Sequence, residues 1–165
     1  MNRIQLSDNF FLDEFTRSQV AARAGIDIVV DVDSGAFRNL QRLCVEVLQP
    51  IRNALGPVNI SSGYRPPEVN ALVGGSRTSA HALALAADFT VSGYTPLEVC
   101  RWVQNESNIA YDQLIHEFGQ WTHIGLSASV LRNQALTAVA QQNPITGKSK
   151  TVYLPGIQPI YSDSK

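Results

Sequence analysis

An amphipathic helix between Ser34 and Leu55 is the feature that most restricts how this chain of 165 residues folds. Apolar side chains recur there every three or four residues, which predicts one continuous buried stripe along a helix. The stripe consists of Phe37, Leu40, Leu43, Cys44, Val47, Leu48, Ile51 and Leu55. Polar side chains such as Arg38 and Gln49 face away, and Pro50 predicts a kink.

The segment VNISSGYR predicts a short strand that leads into a turn, and alternation predicts a strand at 86–91 and a β-hairpin formed by 112–118 and 121–126. A capping box at Thr95 and Glu98 predicts a second clear helix over 96–104, and Ser18 is expected to cap a short one. These elements indicate an α+β fold with a central antiparallel sheet and helices packed on one side of it. We expect one domain over 1–165, with a core at about 8–137 and a loop and tail at 143–165.

Composition excludes several kinds of partner. The chain is 44% hydrophobic and 16% charged with a net charge of -1, and it has no basic run, so nucleic acid and membrane surfaces are not expected. The N-terminus lacks a secretory signal, which predicts synthesis in the cytoplasm. Cys44 and Cys100 lie in apolar helical patterns and are interpreted as reduced core residues. Nothing in the sequence requires more than a monomer.

The segment SAHALALAAD places His81 and Asp88 in small, apolar surroundings, where an ionised side chain needs a partner. A metal ion would be such a partner, and His123 in WTHIGL is the candidate third ligand. Three nitrogen and oxygen ligands with a fourth position left to water are typical of a catalytic zinc site. Such a site, with a carboxylate beside it, supports amide hydrolysis.

Alternation in the hairpin predicts that Glu117 and His123 share a face if the turn has an odd number of residues, and that they are then directly opposite. A two-residue turn would instead send them to opposite faces. His116 is expected on the other face. Arg65, in the turn SGYR, could bind a substrate carboxylate or stabilise an oxyanion.

Each of these residues also has a structural interpretation. His81 could be a loop histidine, Asp88 could pair with Arg65, and His123 could be a packed core residue. Arg65 and Tyr64 could only brace their loop, Glu117 could be solvated at the end of the hairpin, and Trp121 could be core or cavity wall. Spacing alone therefore supports the metal site only weakly.

The segment SSGYRPPEVNALVGGSRTSAHALALAAD, followed by DQLIHEF and WTHIGLS, resembles the zinc D-Ala-D-Ala carboxypeptidase family. That family also includes phage L-alanyl-D-glutamate endolysins and bacterial D-Ala-D-Ala dipeptidases. The resemblance implies the hedgehog/DD-peptidase fold, one Zn²⁺ ion bound by His81, Asp88 and His123, and a peptidoglycan peptide as substrate. It implies a substrate contact at Arg65. Tyr64, Ser79 and Trp121 are further candidate substrate-binding residues.

The chain departs from this family at two positions. Many relatives have an acidic residue three positions before the last histidine, where this chain has Gln120. We therefore assign the general base to Glu117, whose spacing is similar to that in another branch that includes the hedgehog signalling domain. Ala84 stands where relatives usually have glycine, so a positive φ there would be strained.

The expected function is a zinc peptidase that cuts a peptide bond of the peptidoglycan stem or cross-link. The resemblance to short phage-type members implies a phage or prophage enzyme that acts on the bacterial cell wall in lysis or entry. The alternatives are a non-catalytic zinc module that recognises cell wall or forms part of a virion, and a zinc ion that only stabilises the fold.

Overall fold

The computed structural model describes residues 3–161. Its strands, in chain order, are β1 (Gln5–Ser7), β2 (Phe10–Phe11), β3 (Val58–Ser62), β4 (Ala86–Val91), β5 (Gln113–Glu117), β6 (Trp121–Gly125), β7 (Gln134–Gln142) and β8 (Ser149–Pro155). Its α-helices are α1 (Leu12–Thr16), α2 (Gln19–Arg23), α3 (Gly35–Leu43), α4 (Gln49–Leu55), α5 (Pro67–Leu72) and α6 (Pro96–Asn105). A π-helical turn, Cys44–Leu48, joins α3 to α4, and a 3-10 turn, Ala80–Leu83, precedes β4.

Six strands form the main sheet in the order β3-β4-β6-β5-β7-β8, and β1 pairs with β2 separately. Neighbours in the main sheet are antiparallel except β5 and β7, which are parallel. The predicted α+β class is confirmed, but the sheet is mixed and not antiparallel throughout. The reason is that Gln113, at the start of β5, pairs with both Gly125 and Gln134. The chain therefore enters β7 at the end of the sheet where it leaves β6.

The two faces of the main sheet have different surroundings. On one face, strand residues such as Phe89, Leu114 and Ile124 are fully buried in a cluster with helical side chains. The helical members of this cluster are Leu12, Phe15, Phe37, Leu40, Leu43, Cys44, Val47, Leu48, Ile51, Val99, Cys100 and Val103. Because side chains alternate along a strand, Asp88 and His123, each next to a core residue, lie on the other face. The helices cover one face and leave the other for a site.

The long amphipathic helix is continuous from Gly35 to Leu55, close to its predicted bounds. The Ser34 hydroxyl caps it by accepting a hydrogen bond from the Phe37 amide at 3.1 Å. The irregularity associated with Pro50 takes the form of the π-helical turn directly before α4. Pro50 has no N–H to donate to the carbonyl one turn earlier, and the wider turn accommodates this interruption.

Other local predictions are confirmed as well. In the capping box of α6, the Glu98 amide donates to Thr95 Oγ1 at 3.2 Å and the Thr95 amide donates to Glu98 Oε2 at 2.7 Å. The Ser18 side chain caps α2. Cys44 and Cys100 are buried free thiols, and burial raises the pKa of Cys100 to about 12. Within residues 3–161, no helix is long and apolar enough to cross a bilayer.

The prediction of a loop and tail at 143–165 is wrong for Ser149–Pro155, which forms β8 at the edge of the main sheet. Residues that follow β8 are also fixed to the sheet: the Gln158 amide donates to Thr137 Oγ1 at 2.8 Å, and the Gln158 carbonyl lies 2.9 Å from His116 Nδ1. Most side chains of β8 are exposed, so the strand lacks the apolar alternation that reveals buried strands. Residues 162–165 lie outside the described part of the chain.

Candidate active site

Three buried side chains, those of His81, Asp88 and His123, converge on the open face of the main sheet. Asp88 in β4 and His123 in β6 are direct partners in the antiparallel register. His81 lies in the 3-10 turn before β4, which Ser79 caps by accepting a hydrogen bond from the His81 amide at 3.3 Å. The fold therefore brings together the three residues that the sequence singled out.

The atoms that converge are His81 Nε2, Asp88 Oδ1 and His123 Nδ1. His81 Nε2 lies 3.2 Å from each of the other two, and His123 Nδ1 lies 2.9 Å from Asp88 Oδ1. The other ring nitrogen of His81, Nδ1, lies 2.8 Å from the carbonyl oxygen of Gly63. Because a carbonyl can only accept, Nδ1 carries the proton and Nε2 of the neutral ring presents a lone pair. A lone pair then faces a carboxylate oxygen, an arrangement that a cation between them stabilises.

The spacing and chemistry of these atoms fit a tetrahedral metal ion. Metal–ligand bonds of about 2.0–2.1 Å imply ligand atoms about 3.3 Å apart, and the separations here are 2.9 and 3.2 Å. The contact between Gly63 and His81 fixes the orientation of the ring, as outer-shell carbonyls do at metal sites. The three residues therefore form a possible metal site with one coordination position left open.

The charges within this group are set by burial and by contacts between its members. Burial opposes ionisation of Asp88, but its close contacts with the rings of His123 and His81 prevail and hold the pKa of Asp88 well below its ordinary value. For His123, burial lowers the pKa while the Asp88 carboxylate raises it, and the net change is upward. Asp88 is therefore ionised at neutral pH, as an oxygen ligand must be.

Glu117, at the end of β5, is the nearest further carboxylate to this group, with Oε1 3.9 Å from His123 Nδ1. Its side chain is mostly buried, with 16% of its surface exposed. Burial, followed by the negative charge of Asp88, raises the pKa of Glu117. A carboxylate in this position is suited to accept a proton close to the metal ligands.

The hairpin that carries Glu117 corrects one predicted detail. Its turn has three residues, because Glu117 pairs with Trp121, and Phe118 and Gly119 both have positive φ. Glu117 and His123 therefore share a face, as an odd turn predicts, but they are diagonal and not directly opposite. The direct partner of His123 is Ile115.

A cavity of about 630 Å³ opens over Glu117 and over the possible metal site of His81, Asp88 and His123, which we call the metal-ligand group. Arg65, Ser79 and Trp121 line it, as their predicted role in substrate binding requires. Arg65 Nε and Trp121 Nε1 are buried, and neither has a hydrogen-bond partner among residues 3–161. Both N–H groups thus lie inside the wall of the cavity and not on its open surface.

Two aromatic residues lie away from this cavity. Tyr64, predicted to bind substrate, is absent from the cavity wall: its ring packs against the hydrophobic core and its amide donates to the Phe15 carbonyl at 2.8 Å. The alternative interpretation, that Tyr64 braces its loop, describes it better. His116 lies on the face opposite Glu117, as predicted, where it contacts Gln158.

Ala84, the residue that replaces the glycine of relatives, has φ 57° and ψ 33°. This is the left-handed region, which costs an L-residue about 1–2 kcal/mol. Its methyl group is fully buried in the core, and burial of such a group returns about 0.8 kcal/mol. The predicted strain is therefore present and partly offset, and the turn still delivers His81 to the metal-ligand group.

The structure also places residues in the site that sequence reasoning missed. Gly63 must be glycine because a Cβ there would lie 2.6 Å from the Phe15 backbone, and this close approach sets the carbonyl that holds His81. Asp112 and Arg132 form an ion pair in the cavity wall, with Nη2 2.6 Å from Oδ2. Tyr153 of β8 lines the cavity from the segment taken for a tail.

Comparison with known protein families agrees with this geometry. A family model described as Peptidase M15 matches residues 8–125, most of the chain. The protein belongs to the Peptidase M15 family. It is thus a metallopeptidase of the D-Ala-D-Ala carboxypeptidase and endolysin type, and its mixed α+β sheet agrees with the M15 fold. No curated protein matches the chain. The matched region of this M15 peptidase includes the metal-ligand group and Glu117, and it ends before β7 and β8.

Proposed function

We propose that this M15 peptidase binds one zinc ion and hydrolyses a peptide bond in the stem or cross-link peptides of bacterial peptidoglycan. The observation that carries the proposal is the buried group of His81, Asp88 and His123 with Glu117 3.9 Å from one of its nitrogens. Family membership supports a peptide substrate. The likeness of SSGYRPPEVNALVGGSRTSAHALALAAD to phage-type relatives supports a role in phage lysis or entry.

In this proposal each residue at the cavity has a defined task. His81, Asp88 and His123 would hold the ion, which would make a water more acidic and polarise the carbonyl of the substrate. Glu117 accepts a proton from the attacking water and passes it to the leaving amine. Arg65 and Trp121 line the cavity and contact the peptide, and Ser79 holds the turn that carries His81.

The first test removes ligands one at a time. His81→Ala and His123→Ala are expected to lose stoichiometric zinc and the hydrolysis of purified peptidoglycan, because each removes one of three ligands. His116→Gln, at the histidine on the opposite face, is the matched control and should retain both. Zinc is measured by elemental mass spectrometry and hydrolysis by mass spectrometry of muropeptides. Wild-type protein without stoichiometric zinc after purification in the absence of chelator would contradict the proposal.

The second arm of this test separates catalysis from binding. Glu117→Gln is expected to keep zinc while its hydrolysis falls about 10²–10⁴-fold, because a positioned general base is lost. Equal hydrolysis by wild type and variant would remove Glu117 from the mechanism. If both proteins bind zinc and wall fragments but neither releases amino groups, the protein is a recognition module.

A further inference from the structure

A row of side chains crosses four neighbouring strands at the mouth of the cavity. Trp121 in β6 pairs with Glu117 in β5, Glu117 pairs with Ala138 in β7, and Ala138 pairs with Tyr153 in β8. Residues paired in this way project from the same face of a sheet. Tyr153 is therefore two strands, or about 10 Å, from the candidate general base on the face that carries the metal ligands.

The residue between them, Ala138, has a short side chain that leaves space between the tyrosine and Glu117. Ala138 has the smallest side chain of the row and is nevertheless fully buried, so its neighbours close over it. Tyr153 is 55% exposed and lines the cavity together with Glu117, Asp88 and His123. Its ring thus forms part of the cavity wall, and its exposed part is open to a ligand.

The electrostatic surroundings of Tyr153 agree with this placement. Burial, followed by the negative charges of Glu117 and Asp88, raises the pKa of Tyr153. The hydroxyl therefore keeps its proton at neutral pH and remains a hydrogen-bond donor. Arg65 follows β3 at one edge of the sheet while Tyr153 lies in β8 at the other edge, so the cavity has a donor on each side of the metal-ligand group.

We propose that Tyr153 is a catalytic residue whose hydroxyl donates a hydrogen bond to the oxygen of the scissile carbonyl as negative charge develops on it. This inference rests on the proposed function and adds to it a residue outside the region matched by the family. When water adds to the carbonyl carbon, its proton passes to Glu117 and the π electrons of the carbonyl move to oxygen. Tyr153 stabilises that oxygen and keeps its own proton while the C–N bond breaks and Glu117 protonates the amine.

Tyr153→Phe tests the proposal because it removes one oxygen atom and leaves the ring in place. On a purified stem peptide, kcat is expected to fall on the order of 10²-fold with little change in KM, since the contact forms in the transition state. Zinc content and Tm should be unchanged. Tyr94→Phe, at a half-exposed tyrosine outside the cavity, is the matched control and should behave as wild type.

A second measurement does not depend on peptidoglycan. Acetohydroxamic acid presents oxygen atoms to a zinc peptidase site, and its Kd for the zinc-loaded protein should rise about tenfold or more in Tyr153→Phe. Unchanged kinetics and unchanged Kd would overturn the proposal, as would a rise in KM alone. If wild type cleaves no stem peptide but acetohydroxamate binding still depends on Tyr153, the proposed function fails and the tyrosine contact stands.

Discussion

Among individual residues, His81 is held most tightly, because both of its ring nitrogens are engaged. One contacts the Gly63 carbonyl and the other faces Asp88 and His123. The Gly63 contact selects the tautomer that leaves Nε2 free for a metal. The tight approach of Gly63 to the Phe15 backbone therefore bears directly on the chemistry of the site.

The ion pair in the cavity wall makes stability depend on pH. Arg132 donates to Asp112 from Nε at 2.9 Å and from Nη2 at 2.6 Å, and these bonds lower the pKa of Asp112 below its ordinary 3.8. A lowered carboxyl pKa gives stability that is fully present above the ordinary pKa and is lost as pH falls through the folded-state pKa. We therefore expect Asp112→Asn to lower the free energy of unfolding by about 1–2 kcal/mol at pH 7, a modest value because Arg132 is largely exposed.

Urea unfolding of wild type and Asp112→Asn at pH 7 and at pH 3 measures this effect. The difference between the two proteins should shrink at pH 3, which is below the ordinary carboxyl pKa of 3.8, because Asp112 of the unfolded wild type then takes up a proton. The free energy of unfolding of Asp8→Asn, at an exposed carboxylate outside the cavity, should differ from that of wild type by less than about 0.5 kcal/mol at both pH values. A difference that grew on acidification would contradict the assigned contribution of the ion pair.

Among the strands, β4 and β8 represent two extremes of burial. In β4 five of six residues are buried, and the strand lies inside the sheet, whereas β8 is an edge strand whose residues are all exposed or half-buried. Local opening needs little energy where few apolar contacts break. We expect amide protons of β8 to exchange before those of β4 and β6 in hydrogen–deuterium exchange. The other edge strand, β3, should exchange at an intermediate rate because it also contacts α1. Protection of β8 equal to that of β4 would contradict this order.

The same difference explains what the sequence could and could not predict. Buried elements with a strong period were predictable: the stripe from Phe37 to Leu55, the capping box of α6 and the alternation around Asp88. The register of the hairpin was not, because it depends on Phe118, an aromatic residue with a positive φ that a turn rarely contains. β8 has few buried side chains, so its sequence shows no clear alternation. β7 pairs with β5, and this pairing depends on strands that are not neighbours in the sequence.

In the site, the ligands were predictable because their residue types are unusual in apolar segments, and the resemblance supplied their order. The contribution of Tyr153 was not predictable, since it depends on β7 lying between β5 and β8. Tyr64 was assigned to substrate because it is adjacent to Arg65, but neighbouring residues of a turn point in different directions. Tyr64 faces the core while Arg65 faces the cavity.

For the molecule as a whole, the position of the metal-ligand group predicts how the protein responds to chelation. The core cluster lies on the helix-covered face, apart from His81, Asp88 and His123, so we expect the fold to form without a metal. A metal at 100 times its Kd adds about 2.7 kcal/mol. We therefore expect chelation to lower Tm by about 5–10 °C without unfolding the protein at room temperature.

Calorimetry and far-UV circular dichroism, with and without a chelator, measure this change. Added zinc should restore the wild-type Tm, and His81→Ala should show no response to chelator because it lacks a ligand. Complete loss of circular dichroism at room temperature on chelation would show instead that the ion holds the fold together.

The order of strands in the sheet also has a consequence for biosynthesis. His81, Asp88 and His123 are all made by residue 123, but the wall opposite Arg65 is formed by β8, which is synthesised after them. Since chains begin to fold from the N-terminus during translation, a nascent protein can assemble its metal-ligand group before its cavity is closed on the β8 side. A ribosome-bound chain that lacks Ser149–Pro155 would then take up the ion while it remained a poor catalyst, and full activity would appear only once β8 had been made and had joined the sheet.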